Sequence, residues 1–138
     1  EIVFSAGWDV TMVGLDVTHQ VLLSKEQLGQ FARSSKATSQ HTGKILPLYM
    51  QFAEEVGMPG MYMHDPTAIS YLLKPSLFEI IQYPLQMATE GVSRGKTWVW
   101  SATKDFPPED FNFDTENPVN VVVGADVEAV NQMLLDTV

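Results

Sequence analysis

Two segments near the start of the chain constrain the fold most, because both of their faces are apolar. Residues 10–13 and 17–23 are rich in β-branched and aliphatic side chains, and they predict strands. A strand that is apolar on both faces is typical of a sheet covered by helices. The sequence therefore predicts a mixed fold, α/β or α+β, with several strands and four helices.

Helical periodicity predicts the elements that would cover the sheet. Ser24 and Gln27 form a capping-box pattern that opens a short helix. The polar residues 34–39 predict a loop, and a longer helix follows with Pro47 in its first turns or at a kink. Its apolar stripe has five members at helical spacing, namely Ile45, Leu48, Tyr49, Phe52 and Val56.

Two later helices are predicted from their first residues. Pro66 suits the first position of a helix, which makes Asp65 its N-cap, and Asp126 caps a final helix. The first of these two helices carries an apolar stripe of Ala68, Ile69, Leu72 and Leu73.

Further strands are predicted in the second half of the chain. Residues 77–88 and 96–101 predict two strands joined by a turn at residues 91–95, and residues 119–123 predict a short buried strand. The acidic, proline-bearing residues 105–118 predict an excursion over the surface.

Composition excludes several classes of protein. Seventeen acidic against eight basic residues give a net charge of −9, which argues against a nucleic-acid binder because no basic stripe is present. The absence of cysteine excludes disulfides and thiol catalysis. No apolar run approaches the roughly 18 residues that span a bilayer. No signal-peptide pattern is visible, and we expect a cytoplasmic protein.

The triplet His64-Asp65-Pro66 is the strongest candidate for chemistry. A histidine at a helix start can donate a proton near neutral pH, and a neighbouring carboxylate can bind a hard cation. The competing interpretation is structural, with Asp65 as a helix cap and His64 as a loop residue.

Other candidates are weaker. His19 follows an Asp/Thr segment near a predicted strand end, where a hydrogen-bonded structural role is commoner, and His41 has no visible partner. Trp98 and Trp100 alternate along a strand, which favours packing over ligand stacking. Residues 109–116 lack the glycine and final glutamate of an EF-hand loop.

Three segments in the same order resemble the inosine-uridine nucleoside hydrolase family. They are Thr11-Met12-Val13-Gly14-Leu15-Asp16-Val17-Thr18-His19-Gln20, His64-Asp65-Pro66-Thr67-Ala68 and Gly91-Val92-Ser93-Arg94-Gly95-Lys96-Thr97. The resemblance extends to the closing strand and helix at residues 120–135. It implies an open-sheet, Rossmann-like α/β fold with a site at the carboxyl ends of the strands.

The resemblance also implies a chemistry: hydrolysis of the N-glycosidic bond of ribonucleosides to free base and ribose. In the family a calcium ion binds the ribose diol and the attacking water. By position, Asp65 is the expected calcium ligand, and His64 is expected to protonate the departing base. The loop at residues 58–63 is expected to face the base, with Tyr62 stacking on it.

The chain departs from the family pattern at two places. It lacks the Asp-x-Asp-x-x-x-Asp-Asp signature of the N-terminal half, and Trp100 stands where an acidic residue is expected. It also opens with Glu1 instead of methionine. These features predict that residues 1–138 are the C-terminal portion of a single hydrolase domain whose N-terminal half is absent.

Such a portion is expected to be inactive alone and to need a partner, either the missing half or a second copy in a homo-oligomer. The alternatives are a non-catalytic nucleoside- or sugar-binding module, and an interaction protein that uses the tryptophans and the acidic segment.

Overall fold

The computed structural model describes residues 1–100 and 117–138, so the acidic segment at 105–116 lies outside the described residues. The elements in chain order are β1 (Thr11–Val13), α1 (Leu15–Thr18), β2 (Leu22–Leu23), α2 (Lys25–Arg33), α3 (Ala37–Glu55), β3 (Met61–Tyr62), α4 (His64–Leu73), a 3-10 turn (Pro75–Leu77), β4 (Phe78–Tyr83), β5 (Leu85–Met87), β6 (Thr97–Val99), β7 (Val119–Ala125) and α5 (Val127–Thr137). The predicted mixture of strands and helices is confirmed.

The chain divides into two compact units. The first comprises residues 1–12 and the described part of 80–123, and the second comprises residues 13–79 and 124–138. The largest sheet has the strand order β1-β7-β4, and β2-β3 and β5-β6 form two-stranded sheets. Within the described residues, no helix is long and apolar enough to cross a membrane.

The prediction of one strand over residues 17–23 was wrong. Val17 and Thr18 end the short helix α1, and only Leu22 and Leu23 form a strand. The carbonyl of Gly14 accepts hydrogen bonds from the amides of both Val17 and Thr18, which closes the helical turn. Because Val17 and Thr18 are buried, packing overrides the strand preference of their β-branched side chains.

The capping box before α2 is confirmed. The Ser24 hydroxyl accepts a hydrogen bond from the Gln27 amide, and the Gln27 side chain accepts one from the Ser24 amide. A matching side-chain cap opens α5, where Asp126 accepts a hydrogen bond from the amide of Ala129 at 3.1 Å. Both helix starts were therefore predicted correctly.

The long helix α3 begins earlier than predicted. It starts at Ala37, so the predicted loop at residues 34–39 overlaps its first turn, and Pro47 lies in its interior. The close approach of α2 and α3 requires glycine at position 43. A Cβ there would lie 2.8 Å from the backbone nitrogen of Ala32, where no flexible side chain can give way.

The predicted apolar stripes of α3 and α4 do not face the core. In α3 the buried side chains are Ser39, Met50 and Ala53, while the predicted stripe is exposed: Ile45, Leu48, Tyr49, Phe52 and Val56. Leu46, Met50 and Ala53 also recur at helical spacing, so periodicity alone cannot choose between the two faces.

In α4 the buried side chains are Thr67 and Ser70, while Ile69, Leu72 and Leu73 are exposed. The two small hydroxyls are satisfied inside the helix, since Thr67 donates to the Met63 carbonyl and Ser70 to the Pro66 carbonyl. This internal bonding removes the cost of burying them.

The turn predicted at residues 91–95 is confirmed, but the strand predicted over residues 77–88 was wrong, because it is divided at Pro84 into β4 and β5, which lie in different sheets. Strands β5 and β6 pair antiparallel with Leu85 opposite Val99, and Gly91 and Gly95 take the positive φ angles of the turn, 69° and 86°. Trp98 and Trp100 are both partly buried, and the Lys96 ammonium lies 4.3 Å from the Trp98 ring centre. A lysine already covers Trp98, which favours packing over a free stacking surface.

Candidate active site

A cleft in the second unit contains all three residues predicted to act on a nucleoside. It has a volume of about 330 Å³ and is lined by Leu46, Tyr49, Met61, Tyr62, Met63, His64, Asp65 and Pro66. This volume lies within the range of about 300–1,000 Å³ that is usual for small-molecule sites. Tyr62, His64 and Asp65 therefore share one concave surface.

The β2-β3 pairing positions this surface. Leu22 pairs with Tyr62 and Leu23 with Met61, and the Met63 amide donates to the Val21 carbonyl at 3.0 Å. A side chain on Gly60 would meet the Leu23 carbonyl at 2.8 Å, so this glycine permits the approach to β2. Strand β3 ends at Tyr62, and after Met63 the helix α4 begins at His64.

The end of α1 contacts the beginning of α4 at His64. Thr18 Oγ1 and His64 Nδ1 lie 2.7 Å apart in a hydrogen bond. Thr18 is 3% exposed, whereas His64 is partly exposed to the cleft. Thr18 lies in a segment that resembles the family, but the sequence predicts no role for it. Its spacing from His64 gives no signal, because the contact joins residues 46 positions apart.

Three aromatic rings cluster beside this hydrogen bond. The His19 ring centre lies 4.8 Å from that of Tyr62 and 5.1 Å from that of His64, and the Tyr62 and His64 centres are 5.8 Å apart. The structure thus brings His19 to the candidate site, next to the two residues predicted there. His41 lies on the exposed side of α3 and does not line the cleft.

The prediction that Asp65 is the N-cap of α4 was wrong. The helix begins at His64, its N-cap is Met63, and no side chain caps it. Asp65 lies in the first turn and is exposed, and its carboxylate has no hydrogen-bond or ion-pair partner among the described residues. Its position near the positive end of the helix dipole suits a negative charge. The structure therefore lacks the capping hydrogen bond that the structural interpretation of Asp65 requires.

The described residues do not make a complete metal site. No group of three or more His, Asp or Glu side chains within them is arranged to hold a metal ion. Asp65 provides one hard oxygen-donor group, whereas calcium takes about 6–8 oxygen ligands.

Solved nucleoside hydrolases share the fold of this chain. A plant nucleoside hydrolase superposes with a TM-score of 0.87 at 26% identity, covering 98% of this chain and 42% of that chain. A purine-preferring ribonucleoside hydrolase from Gardnerella vaginalis superposes with a TM-score of 0.80 at 26% identity, covering 97% and 40%. The fold is therefore the nucleoside hydrolase fold, as predicted.

The sequence leads to the same family. The model of the inosine-uridine preferring nucleoside hydrolase family matches residues 1–132, and the chain belongs to that family. It is 34% identical over 140 residues to the probable uridine nucleosidase 2 of Arabidopsis thaliana. The aligned region covers 99% of this chain and 42% of that relative. The chain thus spans about two fifths of the length of the relatives it matches.

Proposed function

We propose that this chain contributes the base-facing part of an active site that hydrolyses the N-glycosidic bond of ribonucleosides. The observation that carries the proposal is that one cleft contains Tyr62, His64 and Asp65, in a chain that belongs to a nucleoside hydrolase family. Water adds to C1′ of the ribose and loses one proton. The C1′–N bond breaks with its electron pair going to the base, the base takes up one proton, and the products are ribose and free base.

His64 is proposed as the general acid. The bond to the base breaks more easily when a proton is delivered to the base as the electron pair arrives. His64 is partly exposed in the cleft, and its Nδ1 is held by Thr18, so Nε2 is the nitrogen left for a ligand. This arrangement supports proton donation from a ring whose position is fixed.

Asp65 is proposed as one calcium ligand. Its carboxylate is exposed, lacks a described partner and lines the same cleft as His64. Because the described residues supply no complete calcium site, the other ligands would come from the remainder of the domain.

Tyr62 is proposed to stack on the base. In the complete domain (this chain together with the remainder that its longer relatives contain), Tyr62→Ala is expected to raise KM about tenfold, since stacking on a base contributes about 1–3 kcal/mol. Tyr62→Phe retains the ring and is expected to keep KM within about twofold. Steady-state kinetics with a natural nucleoside gives the KM of each variant. If the Tyr62→Ala and Tyr62→Phe enzymes have equal KM values, Tyr62 does not stack on the base.

The exposed apolar faces of α3 and α4 are proposed to pack against the remainder of the domain. Leu48 and Leu72 are 77% and 71% exposed, and the chain matches only 42% of the length of its Arabidopsis relative. Isolated large side chains at a surface are ordinary, but two helices that both turn their apolar stripes outward indicate a covered surface.

Substituting Leu72 tests this packing. Leu72→Gln is expected to change the free energy of unfolding of the 138-residue chain by less than about 0.5 kcal/mol, because the side chain is exposed there. In the complete domain the same substitution should cost about 1.5–3 kcal/mol, the value of burying a leucine. Lys44→Gln, at an exposed charged position of α3, is the control, and equal effects of Leu72→Gln in both proteins would contradict the packing.

The activity itself is tested by incubating the complete domain with uridine, cytidine, inosine and adenosine and separating the products by chromatography. The proposal predicts release of free base from at least one of them. Binding of nucleosides without any release of base would instead support a non-catalytic binding module.

A further inference from the structure

We infer that His19 is a positioning residue that holds the Tyr62 ring in the orientation needed to stack on the base. This inference rests on the proposed stacking role of Tyr62. His19 contacts the Tyr62 ring but does not itself line the cleft. The imidazole therefore supports the tyrosine ring without being a contact residue for the base.

The Tyr62 side chain has no hydrogen bond that could orient its ring. Its hydroxyl has no partner within residues 1–100 and 117–138. The His64 ring differs in this respect, since its Nδ1 is hydrogen-bonded to Thr18 Oγ1 at 2.7 Å. A tyrosine ring turns about two side-chain bonds, so without a hydrogen bond it depends on packing against its neighbours for a fixed orientation.

The His19 ring is the nearer of the two histidine rings that contact Tyr62. The His19 and Tyr62 ring centres lie 4.8 Å apart with an interplanar angle of 52°, whereas His64 lies 5.8 Å from Tyr62. Aromatic pairs are favourable at centre distances of about 4.5–7 Å. The imidazole nitrogens of His19 have no hydrogen-bond partner in the described part of the chain, so its ring contacts are the interactions that can give the side chain a role.

The main chain places His19 beside Tyr62. The His19 amide donates to the Leu15 carbonyl at 2.9 Å, which fixes His19 at the end of α1. A short turn then leads into β2, where Leu22 pairs with Tyr62. Because a hydrogen-bonded helix end and a strand pair lie on either side of this turn, the backbone limits the distance between the two rings.

Substituting His19 in the complete domain tests the inference, and the exposure of this residue makes a folded variant the expected outcome. His19→Ala removes the ring contact and is expected to raise KM for a natural nucleoside about threefold to tenfold. His19→Phe keeps a ring and loses no hydrogen bond, so its KM should stay within about twofold of the wild-type value. In both variants kcat should stay within about twofold, because His64 keeps its hydrogen bond to Thr18.

A double-mutant cycle separates the positioning of Tyr62 from a general disturbance of the cleft. In a Tyr62→Ala background, His19→Ala is expected to change KM by less than about twofold, because the ring that His19 holds is already absent. His41→Ala is the control, since this histidine is exposed on α3 and does not line the cleft. A further rise in KM as large as that of His19→Ala alone would overturn the inference, because His19 would then act independently of Tyr62.

The failure of this inference can be distinguished from the failure of the proposed function. If Tyr62→Ala raises KM while His19→Ala keeps the wild-type KM, or if His19→Phe raises KM as much as His19→Ala, His19 has no positioning role and the stacking role stands. If Tyr62→Ala leaves KM unchanged, both the stacking role and the inference are wrong, whereas release of free base would still support hydrolysis.

Discussion

Replacement of His64 by alanine in the complete domain is expected to slow the hydrolysis of natural nucleosides by about 10²–10⁴-fold, the usual contribution of a general acid. The loss should appear in kcat, because the proton is needed as the C1′–N bond breaks and not when the nucleoside binds. Steady-state rates with the preferred nucleoside measure it.

Substrate choice separates leaving-group protonation from general damage. An activated aryl riboside departs as a stabilised anion, so His64→Ala should hydrolyse it at nearly the wild-type rate. His19→Ala is the matched control, because His19 lies in the same ring cluster without a bond to Thr18. Equal slowing of natural and activated substrates by His64→Ala would argue against proton donation.

The proposed role of Asp65 as a calcium ligand predicts that replacing it by asparagine abolishes most of the turnover of the complete domain. Even residues that only orient a metal ligand contribute about 10–100-fold to affinity or activity, so loss of a ligand should cost at least about 100-fold. Calcium titration of turnover measures the effect, which should include a weaker apparent affinity for calcium.

The structure also sets the expected stability of this variant. Asp65 accepts no capping hydrogen bond, so Asp65→Asn loses only a charge near a helix start, worth about 0.3–1 kcal/mol. Asp126→Asn is the matched control, since it removes a carboxylate from another helix start where asparagine can still cap. An Asp65→Asn enzyme with unchanged calcium dependence would leave Asp65 as a surface carboxylate.

Local signals in the sequence were sufficient where the determining contacts are short-range. Ser24 with Gln27 and Asp126 with Ala129 interact three residues apart, so their patterns identified the helix starts. The turn between β5 and β6 was equally local, because Gly91 and Gly95 supply the positive φ angles that it needs.

The errors arise where long-range packing decides. Val17 and Thr18 have strand-forming side chains, yet their burial in α1 overrides that preference. In α3 more than one face is apolar, and the choice of Met50 and Ala53 as the buried pair depends on contacts that periodicity does not contain. In α4 the hydroxyls of Thr67 and Ser70 are buried because the helix's own carbonyls satisfy them.

The three predicted site residues lie together in the structure: His64 and Asp65 are in the first turn of α4, and Tyr62 lines the same cleft. Their catalytic, metal-binding and substrate-binding roles stay predictions. The contact between Thr18 and His64 could not be found from spacing, since it depends on the β2-β3 pairing that brings distant segments together.

The central claim is hydrolysis of the N-glycosidic bond, and isotopic labelling of the ribose tests it most directly. The complete domain is incubated with its preferred nucleoside in ¹⁸O-labelled water, without phosphate, and the products are analysed by mass spectrometry before the sugar exchanges its oxygen. The account predicts one free base for each ribose, with one labelled oxygen on the C1 carbon of the ribose. Absence of free base, or release only when phosphate is supplied, would contradict it.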